Sequence, residues 1–554
     1  MENPSNLPRA VQILSPVDHC FQLKLNDLES ILNADDIKDR RIVVVSIAGA
    51  FRKGKSFLMN FFLKYLYAQY KKCDVSDWIG KNDSENANRV QIGFKSRGGR
   101  QPETTGIWIW SDIFTHDENL AIILLDTQGI FDNQSSVKDC TTIFALSTLL
   151  SSVQCFNLMQ NIQEDDLQHL ELFTNYGKLV LGQSNEKPFQ QLIFVVRNWP
   201  HACETGYGWS GRNVIEEVLA ENSDQTSEMQ QLRSQIKSSF EEISAFLMPF
   251  PGTTVQQGGF TGDLQQIDPE FVKYIEELVP AIFAPDKLIV KKINGHELRA
   301  RDFAKYLQSY TDIFNGDKLP EPKTVLMATA ETSYLILQNE CMNFYVDFME
   351  ETFDKTETYF DEMELKNIHQ RALDGAMSKF DEKRKLGGKK MISKLQRQIK
   401  KDINDKFDVF TQKNQVKLED FIKKAKWHNK NVITEIKTSL VKCVCEEINN
   451  TELNLTRSHL QTIFGTMQKT AMEQFEREKI GIDEISDEFR EDLKHGLDRF
   501  GVILFEMWDV YSKSVGSYKN GLMKKINEFN RGYATEYELV NSHQKAQDKA
   551  MAQY

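Results

Sequence analysis

The sequence predicts two parts, an α/β domain followed by an extended all-α helical domain, and three observations predict them. The first is a β-branched run, Ile42-Val-Val-Val-Ser-Ile-Ala48, leading into Gly49-Ala-Phe-Arg-Lys-Gly-Lys-Ser56 and then an apolar, helix-forming segment. The second is the alternation of short β-branched runs with helical patterns through the first half, as in a mostly parallel sheet covered on both faces. The third is proline usage. All thirteen prolines lie at or before Pro322, and a proline-free remainder rich in Lys, Glu, Gln and Met reads as long helices.

Taken in order, strands are expected at Ile42–Ile47, Ile107–Trp110, Ala121–Leu125, Gln191–Val196 and Leu288–Ile293. Helices are expected at Phe57–Tyr70, Thr141–Leu150, Asp165–Leu181 and Glu228–Phe246. The α/β domain is expected over residues 1–315, a short stiff linker over 316–323 around Pro320 and Pro322, and the helical domain over 324–554. At 554 residues the chain is too long for one hydrophobic core.

Composition narrows the class. Hydrophobic content of 40% and charged content of 27% are those of an ordinary globular protein. A formal net charge of −12 argues against general nucleic-acid binding. The eight cysteines form no framework, so a reducing compartment is expected. No secretory leader and no run of about 18 apolar residues is present, and a cytoplasmic location is the expectation.

The motifs carry the chemistry. Gly-x-x-x-x-Gly-Lys-Ser between a strand and a helix is the phosphate-binding loop, whose glycines let backbone N–H groups face phosphate oxygens. Lys55 is expected to reach the β- and γ-phosphates and Ser56 the Mg²⁺ ion. Further on, Ala121-Ile-Ile-Leu-Leu-Asp126-Thr-Gln-Gly129 delivers a carboxylate to a strand end. Asp126 is expected to support the Mg²⁺ ion and the Gly129 N–H to meet the γ-phosphate. Between these lies Arg97-Gly-Gly-Arg-Gln-Pro-Glu-Thr104-Thr105-Gly106, a loop suited to closing over nucleotide, with Thr104 and Thr105 both candidates for the metal shell.

These motifs, together with Phe144-Ala-Leu-Ser-Thr148, Asn161-Ile-Gln-Glu-Asp-Asp-Leu-Gln-His-Leu170, Lys292-Ile-Asn-Gly295, Leu319-Pro-Glu-Pro-Lys323 and Ala328-Thr-Ala-Glu331, resemble the atlastins. Atlastins and the related guanylate-binding proteins are large GTPases of the dynamin superfamily. The resemblance covers roughly residues 15–335 and implies an α/β phosphate-loop GTPase domain followed by an extended all-α helical domain. It implies GTP as substrate, Mg²⁺ as cofactor and a nucleotide-dependent homodimer formed through the GTPase domains. It also implies that Arg52, inside the loop, acts in cis as an arginine finger, and that Thr104 is the Mg²⁺-binding switch threonine. Gly49, Arg52, Lys53, Gly54, Lys55, Ser56, Phe57 and Gly129 are the expected nucleotide contacts, with Arg197 and Asn198 at the base. Gln128 earns no catalytic assignment from its spacing.

One departure matters. Where the family reads guanine with an Arg-Asp pair, this chain has Arg197-Asn198. A neutral amide offers one acceptor oxygen and an NH₂ that would face a guanine donor, so weakened guanine preference and compensation by a neighbouring carboxylate are both open. The helical half departs too, because the two membrane hairpin segments of atlastins have no counterpart. Ile392, Leu395, Ile399, Ile403, Phe407 and Phe410 instead form one apolar stripe, read as a bundle core. Residues 383–430 carry 16 Lys or Arg against 5 Asp or Glu, a solvated face or one for peripheral contact with anionic lipid or an acidic partner. Two rivals to the dimerising enzyme remain at this level: a nucleotide-binding scaffold with slow turnover, and a membrane-remodelling GTPase recruited by a partner or by the basic face.

Overall fold

The computed structural model describes residues 8–17, 20–50, 53–72, 74–80, 93–94, 105–129, 137–184, 186–257, 260, 262–450, 456–513, 527, 540–541 and 544–545. The chain divides into two compact units, one within Met1–Phe344 and Asp374–Lys401 and one within Tyr345–Leu373 and Asp402–Tyr554.

Among the described residues the first unit is built on a sheet of nine strands: β1 Ala10–Val17, β2 Cys20–Leu23, β3 Arg41–Gly49, β4 Ile107–Trp110, β5 Phe114–His116, β6 Leu120–Thr127, β7 Val153–Met159, β8 Phe189–Arg197 and β9 Phe240–Leu247. The order is β2-β1-β4-β6-β3-β7-β8-β9, with β5 paired to β6. β6, β3, β7, β8 and β9 run parallel, and β4, β5, β1 and β2 join antiparallel. Period-two alternation explains why the central strands are apolar throughout. Ile42, Val44 and Ala48 enter one core while Val43, Val45 and Ile47 enter the other. β8 divides in the same way, Leu192, Phe194 and Val196 against Ile193 and Val195.

Four expected strands are present as β3, β4, β6 and β8. The fifth is not a sheet strand: in Leu288–Ile293 only Lys292–Ile293 pairs, in a small hairpin with His296–Glu297. The main chain of Lys291 is held instead between Ile42 and Leu298, its N–H donating to the Ile42 carbonyl at 2.7 Å and its carbonyl accepting from Leu298 at 2.8 Å. The helix expected over Glu228–Phe246 ends at Ser239, after a start capped by Thr226 Oγ1, and Phe240 onward becomes β9 against β8. Side-chain pattern alone does not register that parallel partner. β7 escaped prediction because Gln154 and Asn157 interrupt its apolar run. Both are buried, and Gln154 Oε1 accepts from Ser46 Oγ at 2.7 Å.

Among the described residues the helical part includes Pro322–Asp354, Glu362–Glu382, Lys389–Asn450, Arg457–Glu478 and Asp483–Lys513. The predicted stripe on the third of these is buried at Leu395, Ile399, Ile403 and Phe410, as a bundle core requires. Phe407 stacks on His369 with ring centroids 4.0 Å apart. Among the described residues no helix is long and apolar enough to cross a membrane.

Candidate functional site

Register brings the candidate residues together. Ile47 pairs with Asp126 across β3 and β6, Gly49 with Asn157 across β3 and β7, and Met159 with Arg197 across β7 and β8. All therefore emerge at the carboxyl edge of the parallel strands, where ligands of such sheets bind. Gly49 has φ +143° and lies so close to the Asn157 carbonyl that a Cβ would collide with it. Gly54 sits in the left-handed region at φ +77° and leads into the helix Lys55–Leu66 with no side-chain cap, which leaves the first N–H groups to an anion.

Lys55 is buried. Its Nζ donates to the carbonyls of Gly49 at 3.2 Å and Ala50 at 3.3 Å. Burial pushes its pKa down to about 8, against the opposing pull of the Asp126 carboxylate. Ser56 Oγ donates to Asp126 Oδ2 at 2.6 Å, so the loop hydroxyl and the strand-end carboxylate converge on one point. Thr127 Oγ1 donates to the Ile47 carbonyl at 2.6 Å, tying β6 to β3 just behind them. Gly129 is buried at the end of this segment.

Arg197 lies on the loop itself. Its Nη1 donates to the carbonyls of Lys53 and Gly54, each at 3.0 Å. The guanidinium rests against the rings of Phe57 and Phe271, 5.6 Å and 5.4 Å from their centroids. It is buried and its pKa is lowered to about 10 for that reason. A Cβ at Gly54 would run into the same guanidinium. The Phe57 ring is turned into the core with Phe61, Phe260 and Phe271. Asn198, half-buried, takes φ +55° at the turn after β8, a conformation asparagine tolerates better than most residues.

Gln128 is tied to Gly106. Its N–H donates to the Gly106 carbonyl and its Oε1 accepts from the Gly106 N–H, both at 2.8 Å. Thr105 is occupied as well, its carbonyl accepting from Gln12 Nε2 at 2.9 Å and from Trp108 Nε1 at 2.8 Å. Arg52 and Thr104 lie outside the described residues, as do residues 95–103 of the loop before them.

The sequence reading missed Asn157, whose Nδ2 donates to the Lys53 carbonyl at 3.0 Å. It also missed the hold of Arg197 on the loop. The available signal was polarity out of place, an asparagine in the apolar run Val153-Gln-Cys-Phe-Asn-Leu-Met159. Among the described residues no group of three or more His, Cys, Asp or Glu is placed to hold a metal.

A family model for the guanylate-binding protein N-terminal domain matches residues 18–292. Atlastin of Drosophila melanogaster is 47% identical over 415 residues, which are 74% of this chain and 76% of that protein. Atlastin-2 of Xenopus laevis is 42% identical over 415 residues, 74% and 71% of the two chains. Atlastin-3 of Homo sapiens is 41% identical over 420 residues, 75% and 76% of the two chains.

Proposed function

The chain belongs to the atlastin family of large GTPases, and from that premise we propose that it binds GTP with Mg²⁺ and hydrolyses it to GDP and phosphate. Nucleotide binding joins two copies through their GTPase domains, residues 1–315, and hydrolysis moves the helical domain, residues 324–554, about the linker 316–323. The observation that carries this reading is the convergence of Lys55, Ser56 and Asp126 at one strand edge, with Ser56 Oγ 2.6 Å from Asp126.

The roles follow from chemistry. The loop amides of Gly49, Arg52, Lys53, Gly54 and Phe57 and the Lys55 ammonium hold the phosphates. A hydroxyl and a carboxylate are hard oxygen donors that suit Mg²⁺, which keeps waters and phosphate oxygens for its remaining positions. Ser56 and Thr104 would hold the ion directly and Asp126 would support it. When bound, the ion neutralises charge on the β- and γ-phosphate oxygens. Arg52 offsets the charge that develops on the γ-phosphoryl group, and Gly129 meets it with its N–H. Gln128, already committed to Gly106, is not the water-positioning residue. Arg197 acts through the loop it clamps, and Asn198 faces the base with relaxed guanine preference.

Single-turnover hydrolysis of GTP by the full chain tests the enzyme against a slow scaffold. Arg52→Ala should slow the chemical step by about 10³-fold or more, and equal rates for the two proteins would remove the finger. Light scattering with GTP, with GDP and without nucleotide tests assembly, and an unchanged mass in all three would remove the dimer.

A further inference from the structure

Among the described residues two three-helix bundles share the helix Lys389–Asn450, and they repeat one pattern. The first combines it with Pro322–Asp354 and Glu362–Glu382, and the second with Arg457–Glu478 and Asp483–Lys513. Buried Cys341, Met349 and Phe353 recur ninety-five positions later as buried Ile436, Val444 and Ile448. Ala376-Met377-x-x-Phe380 recurs as Ala471-Met472-x-x-Phe475 at the same spacing. The turns match as well, with left-handed Gly387 in one and Gly481 in the other. The carbonyl before each glycine is taken by the first helix of its bundle: Leu386 accepts from Tyr334 Oη, and Ile480 accepts from Asn429 Nδ2 at 2.9 Å. Tyr334 and Asn429 are themselves ninety-five positions apart.

The copies part company on one helix face. In the first, Val325 belongs to the α/β core, Ala328, Thr329 and Thr332 are buried, and Thr329 Oγ1 lies 3.0 Å from Tyr310 Oη. The positions that answer to these four in the second are Asp420, Lys423, Lys424 and Trp427, all exposed. Trp427 is 69% exposed, with Lys423, Lys424 and Lys430 as its neighbours one turn before and after on the helix surface. Lys423 meets Asp420 at 3.6 Å, both in solvent. Among the described residues no carboxylate lies within 4 Å of Lys424 or Lys430.

We propose that this face, Lys423 to Lys430 around Trp427, docks on an anionic phospholipid surface. Lysine ammoniums beside such a surface are attracted to its headgroups. An indole is favoured at the boundary between headgroups and acyl chains, because one part of it is apolar and its N–H seeks water or phosphate. An exposed indole with lysines at three of its four neighbouring positions needs no shaped partner, and a fluid lipid surface offers none; that favours lipid over an acidic protein. The contact is peripheral and reversible, and it rests on the bundle repeat rather than on nucleotide chemistry.

The test is flotation of the full chain, without nucleotide, on vesicles of phosphatidylcholine alone and of phosphatidylcholine with one-third phosphatidylserine. The wild-type chain should float with the anionic vesicles at low salt and be released at high salt, and it should ignore the neutral ones. The variant K423E/K424E/K430E should lose about tenfold or more of the binding, and Trp427→Ala should lose severalfold at unchanged lysine charge. Thermal melts matching the wild type establish that these surface variants fold. Absence of the wild type from anionic vesicles at low salt, or variants floating as it does, overturns the proposal. Lysine-dependent binding to polyglutamate but not to vesicles would assign the face to an acidic protein and overturn it equally.

Discussion

Lys55 and Lys291 are both buried lysines of the α/β unit, yet they stand at opposite edges of one sheet and are held differently. Lys55 follows the carboxyl end of β3, beside the Asp126 carboxylate, with two loop carbonyls around its ammonium. Lys291 is pinned by main-chain bonds beside Ile42, at the start of β3, and its Nζ donates to the Ser151 carbonyl at 2.9 Å. Burial pushes its pKa down to about 7, further than that of Lys55. An ammonium among carbonyls at the carboxyl edge stands where a polyanionic ligand of such a sheet would bind. At the amino edge it is a destabilising element that the rest of the sheet outweighs. Burial of a cation alone does not mark a site; the edge it occupies does.

Four changes would break or sharpen that contrast. Lys55→Ala should reduce kcat/KM for GTP hydrolysis by about 10³-fold or more, while Lys291→Met leaves it at the wild-type value. Equal losses in steady-state assays would erase the distinction between the two edges. Also at the carboxyl edge, Asn198→Asp should raise the preference for GTP over XTP about 30- to 150-fold, roughly 2–3 kcal/mol, by restoring a charged bidentate acceptor. Competitive titration with both nucleotides measures it, and an unchanged ratio would place base recognition elsewhere. Arg197→Met removes the two Nη1 bonds to the Lys53 and Gly54 carbonyls, leaving the Asn157 bond to Lys53 in place. Calorimetry should then find nucleotide affinity weakened by about tenfold, and wild-type affinity would mean the loop holds its shape unaided.

The smallest effect belongs to the amino edge. The native Lys291 ammonium titrates near 7 and the unfolded one near 10.5. Between those values the unfolded chain binds more protons, so stability rises with pH, by at most about 1.4 kcal/mol per unit. Below about pH 7 both states are protonated and the slope from this group vanishes. Lys55 adds a contribution of the same sign, so the comparison is with Lys291→Met, which should show the shallower slope in urea midpoints taken from about pH 7 to pH 9. Parallel slopes would mean that Lys291 keeps its proton.

The phosphate-loop strand and the strand leading to Asp126 were legible in the sequence because strands buried on both faces leave long apolar runs. Ser56 and Asp126 were both assigned to one Mg²⁺ ion from their motifs, whereas the bond between the two side chains has no local sequence signal. Arg197 was assigned to the base, whereas its guanidinium lies on the loop carbonyls; nothing local tells an arginine at a strand end which neighbour it will reach. Lys291 sits in a segment that reads as a strand, and its main-chain bonds, one to distant Ile42 and one to Leu298 across a local hairpin, hold it beside the start of β3. The repeat of the two bundles was present in Ala376-Met377-x-x-Phe380 and Ala471-Met472-x-x-Phe475. It stayed hidden because helix cores keep volume and spacing rather than residue identity.

The 62-residue helix Lys389–Asn450 has a further consequence, for melting. Asn414 clamps Phe360, accepting from its N–H at 2.8 Å and donating to its carbonyl at 2.9 Å. Fifteen residues on, Asn429 clamps Ile480 in the same way. Each bundle thus borrows a third of its helices from a rod that the other also needs. Fraying of either one exposes apolar surface on that rod and withdraws support from its neighbour. The two bundles should therefore melt together, in one cooperative transition with matching calorimetric and van't Hoff enthalpies, although each has a core of its own.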